Sequence, residues 1–530
     1  VADPVSTIPA TLRATASRFP DNDAVVDGEV RLSYRELDSA VLDVTRGLIG
    51  MGVEPGQRVA VWAQNCWQWC VACLGIAAAG AVLVPINTRF RGKEAAYLVD
   101  NSDSVALFTT TGFLGADYPE MLRAAAPAHA GLPVVVMDGA ASSRDRTWEA
   151  FLAGGAGVPA AEAVARLESV RPDDLSDIMY TSGTTGFPKG VVQTHANNIV
   201  AMRGLAKALD LAPTDRNLVL APLFAQFGLR CGLFIDIIEG AASVVDSVFD
   251  GNRIIDLVER ERITVLPGPP TILAAMLPPL ARGRDLSSLR ITITGSTVIP
   301  EDLVTSLLEH KVFDHVLTAY GLTEACGPVS VSSLTDSPAQ VATYAGRVLD
   351  HLELKVIDPA GATLPPNERG ELMVRASTVM NGYLNDPEQT KAAITPDGWL
   401  HTGDIGLVNE EGYVQITGRL KDMVIVGGLN VYPAEVENTI REHDAVLDVA
   451  LIGIVDERLG EVGAAFIVPA ASAVFDPDAL HSWCREVLAN YKVPRVFIEV
   501  SELPMNSSLK VDKPALRDRA RELGHQVTDG

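Results

Sequence analysis

Short apolar runs alternate with longer amphipathic segments through most of this chain, and that alternation limits the folds open to it. RVAVWA (58–63), AVLVPI (81–86), SVALFTT (104–110) and LPVVVMD (132–138) read as strands. The segments 35–50 and 94–101 read as helices. Strands and helices taken in turn predict an α/β protein with largely parallel sheets flanked by helices. No internal repeat interrupts the pattern. The stretch from Gly139 to Ala163 is rich in Ala, Gly and Ser and reads as a surface excursion.

A chain of 530 residues exceeds one ordinary core, so two or more domains are expected. From about Leu352 the texture changes. LELKVID (352–358), the loop AGATLPPNERG (360–370) and ELMVRA (371–376) read as a β-hairpin region. After GYVQITGRLKDMVIVGGLNVYPAEVE (412–437) the pattern becomes helix, strand, helix. A domain boundary is expected close to Arg419–Lys421. It leaves a large N-terminal domain, 1–418, and a small α+β domain, 422–530.

The formal net charge is −24, which argues against nonspecific binding to nucleic acid or to an anionic membrane, since both need a basic face. An anionic ligand in a local pocket remains compatible with it. Six cysteines in a chain this long fit a reducing cytoplasm. Cys66, Cys70 and Cys73 lack paired CxxC spacing and read as small buried apolar residues rather than metal ligands. No apolar run follows a basic start at the N-terminus, so no signal peptide is expected. The most apolar window, Cys66 to Ile86, contains Gln68, Gly75 and Gly80 and meets Pro85. A buried helix followed by a strand accounts for it better than a membrane span.

The densest local signal is TSGTTGFPKG, Thr181 to Gly190. Gly183 and Gly186 permit close backbone approach; Ser182, Thr184 and Thr185 offer hydroxyls; Lys189 adds a cation. The composition suits a loop that cradles phosphates. The GxxxxGK[ST] spacing is absent, so this is not a Walker A loop. A flexible hairpin turn is the plain alternative.

This segment resembles the signature loop of the acyl-adenylate-forming superfamily, of the acyl-CoA synthetase or fatty-acid–CoA ligase type. Further motifs of that family follow in order: YGLTE (320–324), HTGD (401–404), GRLKD (418–422), GGLNVYPAEVE (427–437) and NSSLK (506–510). The resemblance covers nearly the whole chain. It implies ATP-dependent activation of a carboxylic acid to an acyl-adenylate with loss of pyrophosphate, then transfer of the acyl group to the thiol of CoA.

The resemblance also implies roles. Thr181 through Gly186 and Lys189 would hold the β- and γ-phosphates, with Glu324 and Thr184 at Mg²⁺, Thr323 on the α-phosphate, and Lys510 between carboxylate and α-phosphate. Charge neutralisation of this kind is what joining two anions requires. Asp404 would accept from both ribose hydroxyls, with Arg419 near ribose and phosphate, Gly295 of TGST (294–297) beside the adenine and Tyr320 stacked on it. Arg419–Lys421 would be the hinge of a C-terminal domain that rotates between the half-reactions, Lys421 matching the hinge position. That motion would bring Gly427 and Gly428 to line a pantetheine channel. The acyl pocket would draw on Phe224, Ala225, Phe227, Thr271, Gly295, Ala319, Leu322 and Cys326. Read alone, Glu324 is a helix cap and Lys510 a solvated lysine; the ordered motifs give them their roles.

Two positions depart from the family pattern. Ala225, in APLFAQFG, stands where a histidine is common, and Leu509 stands where glycine usually precedes the catalytic lysine. Register from NSS favours Lys510 over the nearby Lys513. No acidic residue at the acyl positions would hold an amino group, which argues against an α-amino acid. ITVLPGPPTI (263–272) and VLTAYGLTEA (316–325) resemble actinobacterial ligases, some of which act on steroid-derived propionates. Three other readings stay open: a diazotase-like enzyme that activates nitrite for reaction with an aromatic amine, an adenylating loader of a separate carrier protein, and a nucleotide-binding regulator without catalysis. The partners expected are a small carboxylic or oxo acid, ATP and CoA; a homodimer is left open.

Overall fold

The computed structural model describes residues 6–181, 188–277, 283–295, 299–426, 429–456, 458–471, 475–506 and 510–527. The four runs read as strands are strands, at Arg58–Trp62, Val82–Pro85, Ser104–Thr110 and Val134–Asp138. They lie side by side and parallel: 82–85 beside 58–62, then 104–110, then 134–138. Their side chains are buried almost throughout, as expected of parallel strands covered on both faces. On the other side of Val82–Pro85 comes Leu175–Thr181, then the antiparallel Lys189–Thr194 and the short Gly382–Tyr383.

The helices Tyr34–Gly50 and Gly92–Ser102 match the expected segments. The first opens on a reciprocal cap, with Ser33 accepting from the Glu36 N–H and Glu36 accepting from the Ser33 N–H. This satisfies two otherwise unpaired donors. The window from Cys66 to Ile86 forms the buried helix Trp67–Ala78 followed by a strand. Among the described residues no helix is long and apolar enough to cross a membrane. All six cysteines are free and buried; burial pushes the Cys66 thiol up to about 12.

The stretch 139–163 is mostly exposed, in keeping with its reading as a surface excursion, but it is anchored. It carries the helix Trp148–Gly154, whose Trp148 and Phe151 are buried. Phe151 meets Phe108 edge to ring at 5.0 Å between centroids and lies against Gly47 of the helix 34–50, where a Cβ would collide with it. Two aromatic anchors outweigh the small residues around them.

The chain divides into two compact units, Val1–Leu354 with Val374–Leu400, and Lys355–Met373 with His401–Gly530. Besides the sheet above, the first unit holds two four-stranded sheets. One runs 216–219, 242–245, 23–27, 30–33; the other runs 291–295, 315–322, 327–331, 347–348. In the second unit, residues 404–408 pair with Val414–Arg419. A separate five-stranded sheet is built on Val446–Asp456 and Gly460–Pro469, with Val496–Glu499 parallel to the latter. The helices Pro433–Arg441, Pro477–Val487 and Lys513–Glu522 send Val436, Ile440, Leu480 and Leu516 into the same core as Phe466 and Leu451.

One charged pair lies wholly inside the first unit. The Arg230 and Asp177 side chains are 0% and 1% exposed, with Arg230 Nη2 donating to Asp177 Oδ1 at 2.8 Å. Asn198, on the helix His195–Ala208, accepts from Arg230 Nε at 2.7 Å and donates to Asp177 Oδ2 at 2.7 Å. Removing one member of a buried pair leaves the other charge uncompensated. Asp177→Ala is therefore expected to lower stability by about 3–5 kcal/mol. Urea unfolding would read this as a reduced midpoint; a midpoint equal to that of the unaltered protein would show that the pair contributes nothing net.

Candidate functional site

The hydroxyl-rich loop is closed at its base by a ladder. Leu175–Thr181 and Lys189–Thr194 pair antiparallel with Thr181 opposite Lys189 and Tyr180 opposite Gly190. Ile178, Met179, Val191 and Val192 bury these strands in the core. Ser182, Gly183, Thr184, Thr185 and Gly186 lie outside the described residues. Lys189 Nζ donates to Gln389 Oε1 at 2.8 Å and sits 5.2 Å from the centroid of the Tyr383 ring, within range of a cation–π contact. The Tyr383 hydroxyl donates to Glu324 Oε1 at 3.0 Å. Burial, with the neighbouring Glu324 charge, raises the Tyr383 pKa far above an ordinary phenol, so this hydroxyl remains a donor. The Glu324 carbonyl accepts from the Met380 N–H at 2.8 Å, and Gln193 Nε2 donates to the Thr323 carbonyl at 2.9 Å. Lys189 and Glu324, 135 positions apart in the sequence, are thus bridged by one tyrosine.

Beside this group, Gly295 and Ala319 pair on adjacent parallel strands. A Cβ on Gly295 would lie 3.1 Å from the Ala319 carbonyl oxygen, so the glycine allows close packing of backbone there. Tyr320 is buried and opposes Ser330; Leu322 opposes Gly327. Cys326 has φ 65°, a left-handed conformation uncommon outside glycine. Phe224, Ala225 and Phe227 are half-buried. The Ala225 N–H donates to the Pro222 carbonyl at 2.9 Å, and Ala225 caps the short helix Gln226–Gly228. The backbone of Thr271 belongs to the helix Pro270–Ala275; its side chain lies outside the described groups.

The second unit gathers the other candidates around Asp404. Asp404 is buried, and Arg419 Nε lies 2.7 Å from its Oδ1, the two residues facing each other across the 404–419 pairing. The HTGD turn is held from behind. The Thr402 hydroxyl donates to the Leu372 carbonyl at 2.7 Å, and Glu371 accepts from the Gly403 N–H at 3.2 Å and faces His401 Nδ1 at 3.0 Å. Crowding by protein, then the like charge of Arg419, lowers the Lys421 pKa; Lys510 is lowered by crowding, Arg419 and Lys421, with Asp404 opposing. Lys510 retains exposed surface, so water screens part of this effect. Its loop is closed by Asn506, whose Oδ1 accepts from the Lys510 N–H at 3.1 Å while the Asn506 N–H donates to the Lys510 carbonyl at 2.7 Å. Lys513 instead faces Glu437 at 3.5 Å and Asp422 at 3.8 Å, which sets it apart from Lys510. Gly427, Gly428 and Leu509 lie outside the described residues.

Tyr383, Gln389, Gln193 and Glu371 belong to this architecture and did not emerge from the sequence. Their contacts reach across as many as 200 positions (Lys189 to Gln389), and no local pattern marks them. Among the described residues no cluster of three or more His, Cys, Asp or Glu could hold a metal. Tyr383 links the Glu324 carboxylate to Lys189, and Mg²⁺ commonly takes one or two carboxylates and fills its remaining positions with phosphate oxygens and water. The residues present fit that arrangement.

Residues 12–384 match the family model described as AMP-binding enzyme, and residues 435–510 match that of the AMP-binding enzyme C-terminal domain. The 3-[(3aS,4S,7aS)-7a-methyl-1,5-dioxo-octahydro-1H-inden-4-yl]propanoyl:CoA ligase of Mycobacterium tuberculosis (strain ATCC 25618 / H37Rv) is 43% identical over 515 residues, 97% of this chain and 98% of that protein. The ligase of the same name from Rhodococcus jostii (strain RHA1) is 42% identical over 522 residues, 97% and 99% of the two chains. Among solved structures, ATP-bound MatB from Rhodopseudomonas palustris aligns with a TM-score of 0.84 at 27% identity, over 98% of this chain and 100% of that one.

Tyr383→Phe keeps the ring beneath Lys189 and deletes the hydrogen bond to Glu324. Loss of one such bond, about 1 kcal/mol, is expected to raise the apparent Kd for Mg-ATP roughly fivefold, measured by equilibrium binding. An unchanged Kd, in a protein where Glu324→Gln does raise it, would show that the hydroxyl does not position the carboxylate.

Proposed function

The chain belongs to the AMP-binding enzyme family and is an acyl-CoA ligase, and from that premise we propose that its acid is a ring-bearing, keto-substituted propanoic acid. It activates a carboxylic acid with ATP to the acyl-adenylate, releasing pyrophosphate, and transfers the acyl group to the thiol of CoA. The nitrite-activating and carrier-loading alternatives are not favoured. The observation that carries the choice of acid is the identity of 43% and 42%, along 97% of the chain, to two ligases whose names specify a dioxo-bicyclic propanoyl group. Ala225, small and uncharged where a histidine is common in the family, leaves room for such a ring at the acyl wall.

Roles follow from chemistry at each position. The loop 181–190 and Lys189 would bind the triphosphate. Glu324, aligned by Tyr383, would hold Mg²⁺, which when bound neutralises charge on the phosphate oxygens. Thr323 would bind the α-phosphate, and Gly295 and Tyr320 the adenine. Asp404 and Arg419 would bind the ribose and its phosphate. Lys510 would steady the negative charge that builds as carboxylate oxygen attacks the α-phosphorus. Arg419–Lys421 is the proposed hinge, with Gly427 and Gly428 on the pantetheine path. The cytoplasm, where ATP and CoA are made, is the proposed compartment.

The test is thioester formation, read by mass, across a panel of aliphatic, aryl and bicyclic keto acids and nitrite, each with and without CoA. Preference for the bicyclic keto acid supports the assignment; preference for a simple aliphatic acid overturns the choice of acid.

Lys510→Ala is expected to slow acid-dependent pyrophosphate release by about a hundredfold or more while sparing CoA ester formation from supplied acyl-AMP. Equal loss in both assays would remove the assigned role. Because Lys510 acts as the ammonium, adenylation should fall as pH rises through its pKa. That pKa lies below the ordinary lysine value, so the alkaline limb should come early. Lys421→Met removes a like charge that lowers this pKa, and the limb should move to higher pH; a limb that stays or moves lower refutes the coupling.

A further inference from the structure

After Val219 the chain leaves the strand Arg216–Val219 and runs through 220–223 to Phe224 and Ala225. Buried backbone groups that have left a ladder need other partners. One side chain supplies them. Asn65 is buried in the turn between the strand Arg58–Trp62 and the helix Trp67–Ala78. Its Oδ1 accepts from the Leu223 N–H at 2.8 Å, and its Nδ2 donates to the Ala221 carbonyl at 3.0 Å. Donating to one carbonyl and accepting from the N–H two residues further on is the pairing that a residue of a parallel neighbouring strand would make. The amide of Asn65 thus stands in for a strand beside 221–223. Its Nδ2 also donates to the carbonyls of Val219 at 3.0 Å and Asp246 at 3.2 Å, where the strands Arg216–Val219 and Ala242–Val245 end. Both N–H groups of the amide are thereby engaged.

Asn65 is itself held on either side. The Trp67 N–H donates to Asp27 Oδ2 at 3.0 Å, and Gln64 Oε1 accepts from the Thr110 hydroxyl at 2.6 Å. The segment it grips has little freedom. Gly228 packs so closely that a Cβ there would collide with the Pro222 and Ala221 carbonyls, and the Ala225 N–H closes a turn onto the Pro222 carbonyl. Three of the four Asn65 hydrogen bonds go to residues 219–223, which lead directly into Phe224. We propose that Asn65 is a positioning residue for recognition of the acid: it fixes the path of 221–223 and, through that backbone, the places of Phe224 and Ala225. The inference rests on the ligase reading above, in which these two residues line the acyl pocket, and deepens it. A pocket wall discriminates among acids only as well as the groups behind it hold it in place.

The probes are the two acids of the panel above that the unaltered enzyme uses best, and CoA thioester formation is the readout. Asn65→Ala and Asn65→Ser are compared with Ala225→Leu, which alters the wall directly. Asn65→Ser keeps one O–H for one of the four contacts and decides the matter should Asn65→Ala fail to fold. Asn65→Ala should raise KM for the preferred acid roughly five- to tenfold. It should shift the ratio of kcat/KM for the two acids by at least about threefold and leave KM for ATP within about twofold. Asn65→Ser should show the same selective change to a smaller extent. The ratio is insensitive to how much of a variant is folded, so an asparagine that only stabilises the fold leaves it unchanged. A ratio unchanged in both Asn65 variants, where Ala225→Leu shifts it, overturns the positioning role and spares the wall and the ligase reading. A ratio that Ala225→Leu leaves unmoved overturns the wall assignment and the positioning role together and spares the ligase reading. No thioester from any acid with the unaltered enzyme overturns the ligase reading and this inference with it.

Discussion

The contact between Arg230 and Asp177 organises the interior of the first unit. An arginine keeps its proton under any accessible condition, so burying it requires an anion in fixed geometry. Asp177 supplies that anion from the strand that runs into the hydroxyl-rich loop. Asn198 holds both members from the helix that follows the loop. The third element is the π-helix Leu229–Phe234. Three segments share one pair of charges and cannot shift independently. The position of the ladder at 175–181 and the position of the π-helix are set by the same bonds.

In the second unit the problem is inverted. There a single buried carboxylate, Asp404, stands among Arg419, Lys421 and Lys510. On a chain of net charge −24, a local excess of cations makes attraction of an anion specific to one place. Burial, and then the like charges of the neighbouring cations, lowers the pKa of both lysines. An anionic ligand brought to this group would relieve that repulsion.

Much of this was legible in the sequence for identifiable reasons. Parallel strands buried on both faces leave continuous apolar runs, so 58–63, 81–86, 104–110 and 132–138 stood out. The motif residues were legible because each motif is short and contiguous. What brings Lys189 to Glu324 was not. Tyr383 lies in an ordinary NGY and Gln389 in an ordinary helix, and their meaning comes only from where the sheet delivers them. Arg230 was hidden for the opposite reason: inside LRCGLF it looks like one charge interrupting a core segment, and its partner is 53 positions away. At 139–163 the many small residues marked a stretch that is mostly exposed but hid its anchors Trp148 and Phe151.

The ladder at 175–181 and 189–194 makes the direction in which Lys189 points a matter of register. Thr181 and Lys189 are the last pair at its open end. One residue lost within 189–194 shifts the pairing by one, and side chains alternate faces along a strand. Lys189 would then turn from Tyr383 and Gln389 toward the opposite face, and Val191 and Val192 would exchange their burial environments. A deletion within 189–194 is therefore barred by register alone, whatever the individual side chains contribute.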